Sequence, residues 1–301
     1  MVKLLTVGVI GATDELKEKL QQDCYTLAQD GFRVGIDEIN KGNYTFLGCN
    51  INEGEMSFRN YERIKGLIKN YAAKMLAELI VRQEEKNLVR KAIERNYYYF
   101  SEEEKNVIYG NAISLLNNGG NETDEFNFLS RCSMIEAKIS EYLDTHHELV
   151  VEGFINFRLK DYREKLSKVV DTAVDDFMMD AEYKEFIRVL RYFVDVQEPL
   201  IEEVHVVIID GNSFKILDAQ GKAIQNQYLD SMLVAQTTEE INYEDSVISA
   251  LITIAPYTIM VHGNNLAKAQ EVVETIKNVF DGRVVVCGGC DLCQENKLFD
   301  N

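Results

Sequence analysis

The residues best placed by type and spacing to do chemistry are Cys287, Cys290 and Cys293, a CxxCxxC ladder with Gly288 and Gly289 between its first two sulfurs. Thiolates at such short intervals can converge on one ion, because glycine lets the backbone wrap closely around it. Three sulfurs leave one position of a tetrahedral ion to fill. The segment Thr258 to Val261, a helical pattern through Val272, Val273, Ile276 and Phe280, and Val284 to Val286 precede the ladder and read as a βαβ unit. A right-handed crossover makes its two strands parallel, so both end on the same edge of a sheet. His262 follows the first strand and Cys287 the second. The expectation is a Cys3His site of His262, Cys287, Cys290 and Cys293 holding zinc, with an iron–sulfur centre as the other metal reading. Thiol redox chemistry is the competing use of a CxxC beside a βαβ pattern. Little chain follows the ladder, however, to supply the helix whose N-terminus activates such a pair. A reduced tail without a ligand is the plain alternative.

Other clusters carry weaker signals. Gly8-Val-Ile-Gly11 after a first strand, with Asp37 ending the next, invites a dinucleotide reading, but one glycine of GxGxxG is missing and a strand follows where a helix is required. Turn geometry accounts for both glycines, with Thr13 or Asp14 capping the next helix. His146-His147-Glu148 with Glu152 lacks the second histidine of HExxH, so a helix-surface pair explains it better. The run Tyr97-Tyr98-Tyr99-Phe100 suits either a partner-binding surface or packing between two helices. No P-loop, no GxSxG elbow and no cysteine with a plausible histidine base is present, so enzyme activity has no positive support.

The elements that must position these residues change period along the chain. Residues 3–10 read as a strand, Leu16, Leu20, Cys24 and Leu27 as a helix closed by Gly31, and Phe32 to Ile39 and Tyr44 to Ile51 as a hairpin turned at Gly42-Asn43. Tyr61 to Ile93 predicts one long helix. Ser101-Glu102-Glu103-Glu104 is a capping box opening a helix that stops at Asn117-Asn118-Gly119-Gly120. Helical patterns follow over Phe126 to Leu143, from Leu149 past Phe177, and over Tyr183 to Phe193, ending before Pro199. Strands return as the hairpin Val204 to Ile209 and Phe214 to Leu217 about Asp210-Gly211-Asn212, then a helix from Asp245 stops at Pro256. Leu266 falls in the helical pattern before the last strand.

The fold class expected is α+β, a mixed α/β arrangement with β-α-β-β at the start and a hairpin plus βαβ at the end, flanking a large helical middle. The parts are 1–54, 55–200 and 201–301. They read as three units or as one α/β domain with a helical insertion; the insertion is favoured, because neither end alone offers a large core whereas the first and last together could share one sheet.

With 50 Asp and Glu against 32 Lys and Arg among 301 residues, the net charge of −18 disfavours nucleic acid as a partner. The basic run from Arg158 to Lys168 is broken by Asp161 and Glu164, as on a solvated helix face. An apolar fraction of 46% excludes a disordered chain. The first residues read as a strand rather than a secretory signal, and the apolar stretch Val247 to Val261 is interrupted by Pro256 and too short for a membrane span. Six cysteines in a chain of this length do not suggest a disulfide framework, so a cytoplasmic protein with reduced thiols is expected.

The segments ELVVEGFINFRLKDY from Glu148 to Tyr162 and LITIAPYTIMVH from Leu251 to His262, together with the closing cysteine ladder, resemble the YtxC-like family. The resemblance implies a sporulation-associated protein of endospore-forming bacteria, with no catalytic residues to carry over. A non-enzymatic role through a protein partner on the helical middle is then the leading expectation, and a metal- or thiol-dependent protein the second.

Overall fold

The computed structural model describes residues 2–10, 14–29, 33–53, 58–118, 126–209, 214–224, 243–263 and 269–294. The chain forms two compact units, Met1–Met178 and Met179–Asn301. Gly11, Thr13, Gly31, Gly119-Gly120, the Asp210–Asn212 turn and Leu266 lie outside the described residues.

The first unit begins with β1 (Val2–Ile10), α1 (Asp14–Gln29), β2 (Arg33–Lys41) and β3 (Tyr44–Glu53). The β2–β3 hairpin turns where expected, with Gly42 at φ 61° in the left-handed region that favours glycine. Helices α2 (Phe58–Leu79), α3 (Glu85–Asn96), α4 (Glu102–Asn118) and α5 (Phe128–Thr145) follow. The strand β4 (Glu148–Val150) and helix α6 (Val151–Arg158) lead into the long α7 (Lys160–Val196). The sheet order is β2-β3-β1-β4, antiparallel except for the β1–β4 pair, which is parallel with Val7 opposite Leu149.

The expected capping box at α4 is formed: Ser101 N–H donates to Glu104 at 2.7 Å and Glu104 N–H to Ser101 Oγ at 3.3 Å. The long helix expected over Tyr61 to Ile93 is not uniform. Its buried positions step by four from Ile64 through Ile68, Ala72 and Leu76 to Ile80, then by five to Glu85, then by four to Val89 and Ile93. The five-residue step is a π-helical turn, Ile80–Glu84, in which Glu85 N–H reaches the Ile80 carbonyl. It rotates α3 so that a carboxylate faces the core. There Glu85 Oε2 lies 2.9 Å from Arg131 Nε, Tyr162 Oη donates to the same carboxylate, and Arg131 also donates to the carbonyls of Leu116 and Phe126, each at 2.8 Å.

In the second unit β5 (Ile201–Ile208) and β6 (Phe214–Asp218) form the expected hairpin strands, followed by α8 (Tyr243–Ile254), β7 (Pro256–His262), α9 (Gln270–Val279), β8 (Val284–Val286) and α10 (Asp291–Gln294). The order β6-β5-β7-β8 makes a separate sheet, with β5–β7 and β7–β8 parallel. Strands of the two ends therefore do not share a sheet among the described residues. Each sheet instead covers itself with helices. In the second unit Val272, Val273, Ile276 and Val279 on α9 and Val247, Leu251 and Ile254 on α8 pack with the buried β5 and β7 residues, and Ile187 and Val194 of α7 join the same core. No helix among the described residues is long and apolar enough to cross a membrane.

Candidate metal centre

Parallel pairing of β7 with β8 sets the site. Val261 lies opposite Val286, and Cys287 N–H donates to the Val261 carbonyl at 2.9 Å, so His262 and Cys287 leave the sheet side by side. The loop then doubles back through Gly289, whose φ of 122° suits glycine, and α10 begins just after Cys290. The imidazole and three sulfurs converge: one ligand atom from each of His262, Cys287, Cys290 and Cys293 lies within 4.8 Å of all the others. Cys290 Sγ is 3.3 Å and Cys293 Sγ 3.6 Å from His262 Nδ1, and the two sulfurs are 3.9 Å apart.

His262 and Cys293 are buried, while Cys287 and Cys290 are half-buried. Burial, aided by the neighbouring His205, holds the His262 imidazole below its ordinary pKa, which favours the neutral form a metal requires. The Cys290 thiol is lowered, first by the backbone N–H of Cys293. Cys287 accepts the Gly289 N–H at 3.4 Å, which pulls its pKa down, yet burial and the adjacent sulfurs leave it raised.

Two further side chains reach the site that sequence reasoning missed. His262 Nε2 lies 2.9 Å from His205 Nδ1, and His205 Nε2 lies 3.2 Å from Glu203 Oε1. Both residues come from β5, on the face shared with His262 because Val207 pairs with it. The alternation of Glu203 and His205 is visible in the sequence, but only the strand register shows that they share the face of His262.

The other clusters do not assemble a comparable site. Gly8 serves packing: a Cβ there would fall 2.8 Å from the Phe46 ring and 3.3 Å from Val150. The neighbour of β2 is the antiparallel β3, not β1, so the parallel β1–β2 pair of a dinucleotide fold is absent, and Asp37 accepts from Asn50. His146 ends α5 and Glu148 opens β4, so the histidine pair is not on a helix surface; His146 stacks on Tyr142 at 4.1 Å, and Glu152 accepts the Ile10 N–H at 3.0 Å. In the aromatic run, Tyr97 donates to Asp171 at 2.7 Å and Phe100 packs edge-on against Phe177, which leaves Tyr98 and Tyr99 exposed.

The YtxC-like family model matches residues 70–285, well over half of the chain. The chain belongs to the YtxC-like family. A protein of Bacillus subtilis (strain 168) described as uncharacterized protein YtxC is 27% identical over 224 residues, covering 72% of this chain and 76% of its own. No solved structure matches the chain. The span matched to the YtxC-like family includes Glu203, His205 and His262 and ends just before Cys287.

Proposed function

We propose that this YtxC-like chain is a zinc-binding protein in which His262, Cys287, Cys290 and Cys293 hold one structural Zn2+. The supporting observation is the spacing of the donor atoms. Bonds of about 2.3 Å to sulfur and about 2.05 Å to nitrogen at tetrahedral angles place two sulfurs about 3.8 Å apart and a sulfur about 3.6 Å from a nitrogen. The corresponding separations here are 3.9 Å between Cys290 and Cys293, and 3.3 and 3.6 Å from the sulfurs to His262. That spacing suits one mononuclear ion. An iron–sulfur cluster, whose irons are bridged by sulfide, would hold its cysteines further apart.

Four protein ligands close a tetrahedral ion, so the site is structural and not catalytic. Its work is mechanical. β8 is three residues long, with Val285 and Val286 exposed, and α10 only four, so a metal bridging them to the end of β7 would supply the fixation that packing does not. Protein purified without chelators is expected to carry one zinc per chain by elemental analysis, and Cys290→Ser to carry none; metal-free wild-type protein with an unchanged thermal transition would defeat the reading.

A second reading, protein contact through the helical region, is favoured by the exposed apolar face of α7. Met179, Tyr183, Phe186, Val189, Phe193 and Val196 lie at helical spacing along it and are all exposed. A partner's amphipathic helix is the occupant such a stripe fits. Phe186→Asp with Phe193→Asp should abolish capture of the partner from sporulating cells while leaving zinc content intact. The sporulation role implied by the resemblance is tested with it: a strain carrying that double substitution that still forms spores normally, with the same partner recovered, would remove both.

A further inference from the structure

The geometry points to His205 and Glu203 as positioning residues that preset His262 as a metal ligand through its Nδ1 atom, an inference that rests on the zinc reading above. The direction of the chain follows from donor and acceptor chemistry. The Glu203 carboxylate lies 3.2 Å from His205 Nε2, and its negative charge favours a proton on that nitrogen over one on Nδ1. With that tautomer the lone pair of His205 is on Nδ1, and the 2.9 Å hydrogen bond with His262 Nε2 is completed by a proton on His262 Nε2. Its remaining nitrogen, Nδ1, is left with an unshared pair. That atom lies 3.3 Å from Cys290 Sγ and 3.6 Å from Cys293 Sγ. One carboxylate thus biases two rings in series toward the tautomers that turn a lone pair of His262 into the cysteine cluster.

The arrangement is built into the sheet rather than improvised by side-chain rotation. Glu203, His205 and Val207 alternate along β5 and so share one face, and the parallel register with Val207 opposite His262 brings His205 diagonally beside the His262 ring, 5.1 Å between centroids. His262 is 3% exposed, so no water competes freely for its Nε2 proton. Outer partners of this kind fix ring orientation and raise ligand basicity, and their loss typically costs about 10- to 100-fold in metal affinity.

The test compares full-length wild type, His205→Phe, His205→Gln and Glu203→Gln, measuring zinc dissociation constants by chelator competition and the protonated nitrogen of His262 by long-range 1H–15N correlation. His205→Phe keeps a planar ring but removes the acceptor; zinc affinity should fall about 10- to 100-fold, and metal-free His262 should lose its pure Nε2–H form. His205→Gln offers a carbonyl acceptor and should recover most of the affinity. Glu203→Gln, whose amide can donate as well as accept, should give an intermediate loss. The inference is overturned if His205→Phe binds zinc like wild type with His262 still in the Nε2–H form. Failure of the zinc reading shows itself separately, as a wild type that binds no zinc. In that event a pure Nε2–H His262 that changes in His205→Phe upholds the relay as a structural device and refutes its role in metal binding.

Discussion

Each unit of this protein buries a polar cluster, and the two are completed differently. In the first unit the Arg131 guanidinium lies against the Glu85 carboxylate and two carbonyls, and Tyr162 donates to the same carboxylate. Charge is answered by charge within the chain. Burial raises the Glu85 pKa, and the Tyr162 and Arg131 contacts oppose that rise. In the second unit the buried His262 faces three sulfurs, with no side-chain cation among them within the described residues. The imidazole offers a lone pair and each sulfur can offer one once its thiol proton is lost, so the set has the donors of a metal site. A closed network argues for structural specificity, and a convergent set of acceptors argues for a ligand.

The sharpest way to break this contrast is Glu85→Ala, which would strand a buried guanidinium and should cost about 3–5 kcal/mol in urea unfolding of the first unit. Replacing Glu85 and Arg131 together by Met and Leu should recover most of that loss, because the cost lies in the uncompensated charge. Metal removal is the matching experiment on the second unit. A chelator should destabilise it by about 3 kcal/mol, roughly 10 °C in its thermal transition, and hydrogen exchange should accelerate over 256–263 and 284–293 while α2 and α5 keep their protection. Equal acceleration in both units would erase the distinction. Tyr162→Phe removes one hydrogen bond to a charged group and should cost about 2 kcal/mol by the same urea assay, with zinc content unchanged. Gly289→Ala forces a side chain into backbone with φ of 122° and should weaken zinc binding by about 1–2 kcal/mol, roughly tenfold, in chelator competition.

Much of this was legible in the sequence where local pattern and tertiary demand agree. The apolar face of α9 and the return of Val284 to Val286 announce the crossover, and the crossover brings His262 to the ladder. The capping box at Ser101 and the turn at Gly42 are likewise local decisions. The π turn was not legible as such, because a run of helix formers tolerates either period and only the burial of Glu85 beside Arg131 selects the five-residue step. β4 escaped because three residues are too few to show alternation, and its pairing with β1 is supplied from far along the chain. His205 and Glu203 escaped for a related reason: their meaning depends on which strand lies beside β5 and in what register, information that no local window holds.

X-ray absorption on the zinc-loaded, full-length protein probes the centre most directly. Three sulfur scatterers at about 2.3 Å and one nitrogen at about 2.05 Å from the ion are the predicted shell. A shell of oxygen and nitrogen alone, or one that keeps its sulfurs when Cys290 and Cys293 are both replaced by serine, would contradict it.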